Sequence, residues 1–118
     1  MSKTLFILND PPYGTERSYN ALRLAGSLAR RPGEELKVFL MGDAASCAKV
    51  NQKVPPGYYN VELMLQGPAS RSGVEIAVCG TCMDARGMSD AELTDGAKRG
   101  SLSQLTDWTA WADKTLVF

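Results

Sequence analysis

Apolar residues in this chain fall into short solid runs, separated by longer stretches in which they recur every three or four positions. The first run, Thr4-Leu5-Phe6-Ile7-Leu8-Asn9, stops at Asp10-Pro11-Pro12, because proline has no N–H to give a sheet ladder, and it reads as a buried strand. Over 15–30, Tyr19, Leu22, Ala25, Leu28 and Ala29 keep helical spacing while Glu16, Arg17 and Arg23 fall outside the stripe; Arg31-Pro32-Gly33 ends that helix. Residues 35–41 alternate at first and are wholly apolar at the end, predicting a second strand. Gly42-Asp43 then supplies a turn and an N-cap for a short helix over 44–50.

Residues 51–60, with Pro55-Pro56-Gly57-Tyr58-Tyr59, have no period and read as a surface loop. A helix begins at Val61, interrupted by Gly67-Pro68 and finished near Ser72-Gly73. The β-branched run Val74-Glu75-Ile76-Ala77-Val78 predicts a third strand, whose tip carries Cys79-Gly80-Thr81-Cys82 in a loop. Ser89 and Glu92 have capping-box spacing, 94–100 reads as polar connection, and Ser101 caps a helix whose apolar face is Leu102, Leu105, Trp108, Thr109 and Ala112. Residues 114–118 close the chain as a final strand. Strands alternating with helices predict an α/β domain over 1–118, with a mostly parallel sheet of about five strands and helices on both faces. In such sheets ligands meet the carboxyl ends of the strands, which puts the Tyr13-Gly14 turn and the Cys79 loop at one edge.

Composition narrows the chemistry. Thirteen basic and thirteen acidic residues cancel and form no polybasic stripe, so nucleic acid is not an expected partner. No apolar run is long enough to span a bilayer and no signal peptide precedes the first strand, so the expected location is the cytoplasm, with no membrane partner. Three cysteines, an odd number, suit thiols that react better than a disulfide scaffold. The absence of histidine removes Ser-His-Asp and Cys-His activation and every histidine-ligated metal site.

Any thiolate must therefore be stabilised by cations or backbone N–H groups. Cys79 is the candidate nucleophile, Cys82 an accessory thiol and Arg86 a candidate electrostatic partner, with Gly80 leaving room for a substrate. Tyr13 and Gly14 are candidate pocket residues. Gly14 precedes a helix, but Tyr-Gly-Thr-Glu is neither a Walker loop nor a dinucleotide fingerprint, and no cofactor is expected. Cys47 has no activating neighbour in sequence, while Met83, Met88, Trp108 and Trp111 read as packing or subunit contact. The Cys-x-x-Cys pair also admits a dithiol redox role, although that motif usually opens a helix and here is expected before a polar loop. A metal site would lack half its ligands, and a non-catalytic oligomeric binding module is the remaining alternative.

Several of these motifs, taken in order, resemble the DsrE/DsrF-like family and its small YchN-type branch. They are Asn9-x-Pro-Pro-Tyr13-Gly14, Val38-Phe39-Leu40-Met41-Gly42-Asp43-Ala44, Cys79-x-Thr-Cys82-x-x-Arg86-Gly87 and Trp108-x-x-x-Ala112-Asp113-Lys114. The resemblance runs from the first strand to the last residues. It implies a three-layer α/β/α sandwich, assembly into a homohexamer, and a strand-end cysteine at Cys79 that accepts sulfur as a persulfide and passes it on. Sulfur-donor and sulfur-acceptor proteins are the partners it implies. In the DsrE and TusD subunits of sulfur relay systems the corresponding loop has a single cysteine. Cys82 departs from that pattern, and a second thiol can resolve a persulfide on the first, releasing sulfide and leaving a disulfide.

Overall fold

The structure, a computed structural model, describes residues 2–118, and Met1 lies outside them. Strands β1 (Ser2–Leu8), β2 (Glu34–Leu40), β3 (Val74–Cys79), β4 (Ala97–Gly100) and β5 (Lys114–Val117) form a parallel sheet in the order β4-β3-β2-β1-β5. Helices α1 (Arg17–Ala29), α2 (Val61–Ala69), α3 (Gly80–Ala85) and α4 (Leu102–Trp111) lie between them, with 3-10 turns at Gly42–Ala48 and Asp90–Glu92.

The strand order dictates the layers. The chain steps from β1 to β4 in one direction, so right-handed crossovers put α1, α2 and α3 on one face; the return from β4 to β5 puts α4 on the other. The side chains follow the strand period of two. Phe6, Leu8, Leu36, Val38, Leu40, Ile76 and Val78 enter the larger core beneath α1 and α2, whereas Leu5, Phe39 and Ala77 meet Leu105 and Trp108 of α4. A single helix covers the second face. Lys37 sits there, its ammonium 5.0 Å from the Trp108 ring centroid and 4.6 Å from that of Trp111 and paired with Glu75.

The α/β architecture, the parallel sheet and the three layers agree with the sequence reading. Four local expectations do not. Residues expected as polar connection contain β4, an edge strand that buries only Ala97 and leaves Lys98 and Arg99 exposed, so its composition is polar without its being a loop. Pro68 does not interrupt α2: it lies in the last turn, its ring buried against α1 beside Gly26. Residues 42–48 wind as a 3-10 turn rather than an α-helix. Finally, Cys79-Gly80-Thr81-Cys82 is not a loop, because α3 starts directly after Cys79, which serves as its N-cap.

Candidate functional site

Period-two alternation along β3 sends Ile76 and Val78 to the larger core and turns Ala77 and Cys79 toward α4. Cys79 is the last residue of the strand, level with Gly100 of β4. The chain then turns into α3, which brings Cys82 back over it. The two sulfurs are joined as a disulfide, with the Cα atoms 5.2 Å apart, inside the range that a disulfide spans without moving the backbone.

Each sulfur has its own surroundings. Cys79 Sγ accepts the Cys82 backbone N–H at 3.3 Å and lies 3.3 Å from Thr81 Oγ1, on the α4 side of the sheet. Cys82 packs against the larger core and accepts the Gly42 backbone N–H at 3.1 Å. Gly42 can present that N–H because it holds a left-handed conformation, φ +54°, in the turn that leaves β2. Both N–H groups favour sulfur in its anionic form once the disulfide opens, which is the stabilisation a chain without histidine needs.

The Arg86 guanidinium pairs with Asp43 at 2.8 Å and donates to the Cys82 carbonyl at 3.1 Å, tying α3 to the turn that carries Gly42. Arg86 lies one helical turn beyond Cys82 and so braces α3 against the β2 turn. A different arginine lines the site. Arg99 of β4 donates to Asp90 at 2.6 Å, to Asp84 at 3.1 Å and to the Gly80 carbonyl at 3.0 Å, and the bonds to Asp90 first and then Asp84 raise its pKa. Sequence reasoning passed over Arg99 inside an apparently polar connector; the glycines flanking 97–99 were the signal that a short strand lay between them.

Gly80 lines the cleft and has a second role: a Cβ there would stand 2.9 Å from Arg99 Nη1 and 3.0 Å from the Gly100 carbonyl, so the bare Cα also lets α3 pack on β4.

Beside Cys79 and Cys82 opens a cleft of about 500 Å³, walled by Phe39, Met41, Leu102 and Leu105 and rimmed by Asp84 and Arg99. It lies at the carboxyl ends of β2, β3 and β4, under the first turns of α4. Tyr13 and Gly14 do not line it. The Tyr13 hydroxyl donates to Gln52 at 2.6 Å and accepts the Val61 N–H at 3.1 Å, while its ring packs on Tyr59, so Tyr13 holds the 51–60 loop on the opposite face. Gly14, at φ +103°, completes the turn after the prolines with open space around it. Among the described residues no three cysteine or carboxylate side chains converge as a metal site.

Met83 and Met88 are core residues, as their sequence context suggested. Cys47 is fully buried and donates to the Asp10 carbonyl at 3.8 Å; burial pushes its thiol up to about 12. Iodoacetamide at pH 8 is therefore expected to leave Cys47 unmodified in the folded, fully reduced protein and to label it in urea. Peptide mapping reads this, and native labelling would show an opening to Cys47. The folded chain holds this proton more tightly than the unfolded chain, so the associated stability is complete below pH 9.0 and is lost as pH rises toward about 12.

A model of the DsrE/DsrF-like family matches residues 2–118. The protein YchN of Escherichia coli K12 is 40% identical over 119 residues, covering 100% of both chains, and a Methanopyrus kandleri protein is 33% identical over 112 residues, covering 95% of this chain and 90% of its own. The crystal structure of the Escherichia coli YchN protein superposes with a TM-score of 0.92 at 38% identity, over 100% of both chains. A Methanobacterium thermoautotrophicum protein at 12% identity, TM-score 0.72 over 100% of both chains, shares the fold.

Proposed function

This chain belongs to the DsrE/DsrF-like family, and from that premise we propose that it is a sulfur carrier in which Cys79 accepts sulfur as a persulfide and Cys82 resolves it. The observation that carries the reading is the pair of sulfurs within bonding reach in the wall of an open cleft, Cys79 packed toward α4 and Cys82 toward the larger core. In the reduced protein the Cys79 thiolate attacks the terminal sulfur of a donor persulfide. The bond between the donor's two sulfurs breaks, and the donor leaves as its thiolate. A nucleophilic acceptor can then take the outer sulfur from Cys79. Without one, the Cys82 thiolate attacks Cys79 Sγ, hydrosulfide leaves with the electron pair, and the disulfide forms. Two equivalents of a monothiol, or one of a dithiol, reduce the disulfide and reset the pair.

Intact-protein mass spectrometry of the reduced chain, exposed to a persulfide donor, tests this. The expected sequence is one added sulfur mapped to Cys79, then release of sulfide as the mass falls to that of the disulfide form. A mass that never changes under donor excess removes the sulfur role.

The dithiol–disulfide redox reading is favoured by one specific observation: Cys79 caps α3, so Cys-x-x-Cys opens a helix after all. Steady turnover against an external disulfide with no sulfur retained would select it.

A further inference from the structure

The cleft beside the two sulfurs discriminates among the molecules that can reach them. We propose that the Cys79–Cys82 pair exchanges with a small thiol or persulfide whose body is apolar. The proposal rests on the sulfur-exchange reading above and adds the class of reactant.

Size comes first. About 500 Å³ suits a small organic molecule. The walls come next. Phe39 is 1% exposed and Leu105 9%, so both are rigidly packed, whereas Leu102 at the mouth is 76% exposed and has apolar surface still to bury. A bound alkyl or aryl body covers that surface, and each methylene buried adds about 0.8 kcal/mol, roughly a fourfold gain.

Charge does not offset this preference. Among the described residues Arg99 is the cation on the cleft wall and Asp84 the anion, and they pair with each other, so the wall carries no net charge. Three of the Arg99 N–H groups are given to Asp90, Asp84 and the Gly80 carbonyl. A thiol bearing a carboxylate or sulfonate therefore gains no net charge attraction to set against the apolar contact it lacks.

Both sulfurs line the cleft, Cys79 on the α4 side and Cys82 toward the larger core. A thiolate entering the cleft bonds to Cys79 Sγ, the Cys79–Cys82 bond breaks, and its electron pair leaves on Cys82 Sγ, where the Gly42 N–H receives the charge. The incoming thiol gives its proton to solvent. The same approach, in the reduced protein, aligns the outer sulfur of an apolar persulfide with Cys79.

Rapid-quench mass spectrometry of the oxidised protein, with butanethiol, benzyl mercaptan, 2-mercaptoethanol and 3-mercaptopropionate, measures mixed-disulfide formation directly. Rates are compared after correction for thiolate fraction and intrinsic nucleophilicity. Butanethiol and benzyl mercaptan are expected to exceed 3-mercaptopropionate by about tenfold or more. Leu102→Gln, at an exposed position, is expected to cut that ratio by about threefold or more while the circular dichroism spectrum is unchanged. Equal corrected rates, or a lead for the carboxylate thiol, overturn the proposal and leave the reactive pair intact. If no thiol, dithiothreitol included, opens the disulfide in the folded protein, the sulfur-exchange reading falls and takes this one with it.

Discussion

Cys82→Ser is expected to hold one added sulfur on Cys79 after exposure to a persulfide donor, and Cys79→Ser to hold none. In the wild type, Cys82 lies within bonding reach of Cys79, so its attack on a Cys79 persulfide is intramolecular and needs no diffusional encounter. Serine keeps the size of the side chain and can still accept the Gly42 N–H, but it is not a thiol and cannot displace hydrosulfide. The lifetime of the persulfide should lengthen by on the order of a hundredfold or more, limited then by external thiols. Cys79→Ser removes the sulfur on the α4 side and leaves Cys82, which packs toward the larger core. Tryptic mapping of the loaded variants decides the matter. Sulfur retained by Cys79→Ser and lost from Cys82→Ser would exchange the two roles, and the Gly42 hydrogen bond would then mark the acceptor.

Phe39→Ala is expected to cost ~3–5 kcal/mol, the range for removing a buried aromatic side chain from a packed core. Phe39 is 1% exposed, meets Trp108 edge-to-face with ring centroids 6.0 Å apart, and lies 3.1 Å from where a Cβ on Gly100 would stand. The α4 face has few other buried apolar residues, with Leu5, Ala77 and Leu105 beside Trp108, so neighbouring side chains cannot collapse to fill the gap. The urea midpoint, followed by tryptophan fluorescence, should fall by about 1–3 M. Phe39→Leu, closer in volume, should recover most of the loss. A Phe39→Ala midpoint within about 0.3 M of wild type would mean that α4 is held by something other than this contact. Because Phe39 also walls the cleft, the truncation links stability to the site.

Three of the five strands, β1, β2 and β3, could be read from the chain because burial on both faces of a parallel sheet leaves solid apolar runs, as at Phe6 and Val38, and the edge strand β5 could be read from Leu116-Val117-Phe118. The missing one, β4, is at the edge, buries little, and spells Ala-Lys-Arg-Gly. The paired cysteines were visible as a motif, and so was their place at a strand end. Their true setting was not: whether Cys-x-x-Cys starts a helix depends on Gly80 fitting beneath Arg99, a contact between residues nineteen apart in the chain. Arg86 stood out through its nearness to Cys82, but its charge goes to Asp43, forty-three residues away. Tyr13 stood out through its place after β1, and its hydroxyl is used by the 51–60 loop.

Sequence alone determined the alternation of strands and helices, the parallel sheet and the two thiols at the tip of β3, because hydrophobic period and strand ends are local properties of the chain. Tertiary structure decided which face each sulfur occupies, that Gly42 attends Cys82, and that Arg99 rather than Arg86 borders the cleft. Those outcomes depend on strand order and register, which join residues distant along the chain and appear only when the sheet is assembled.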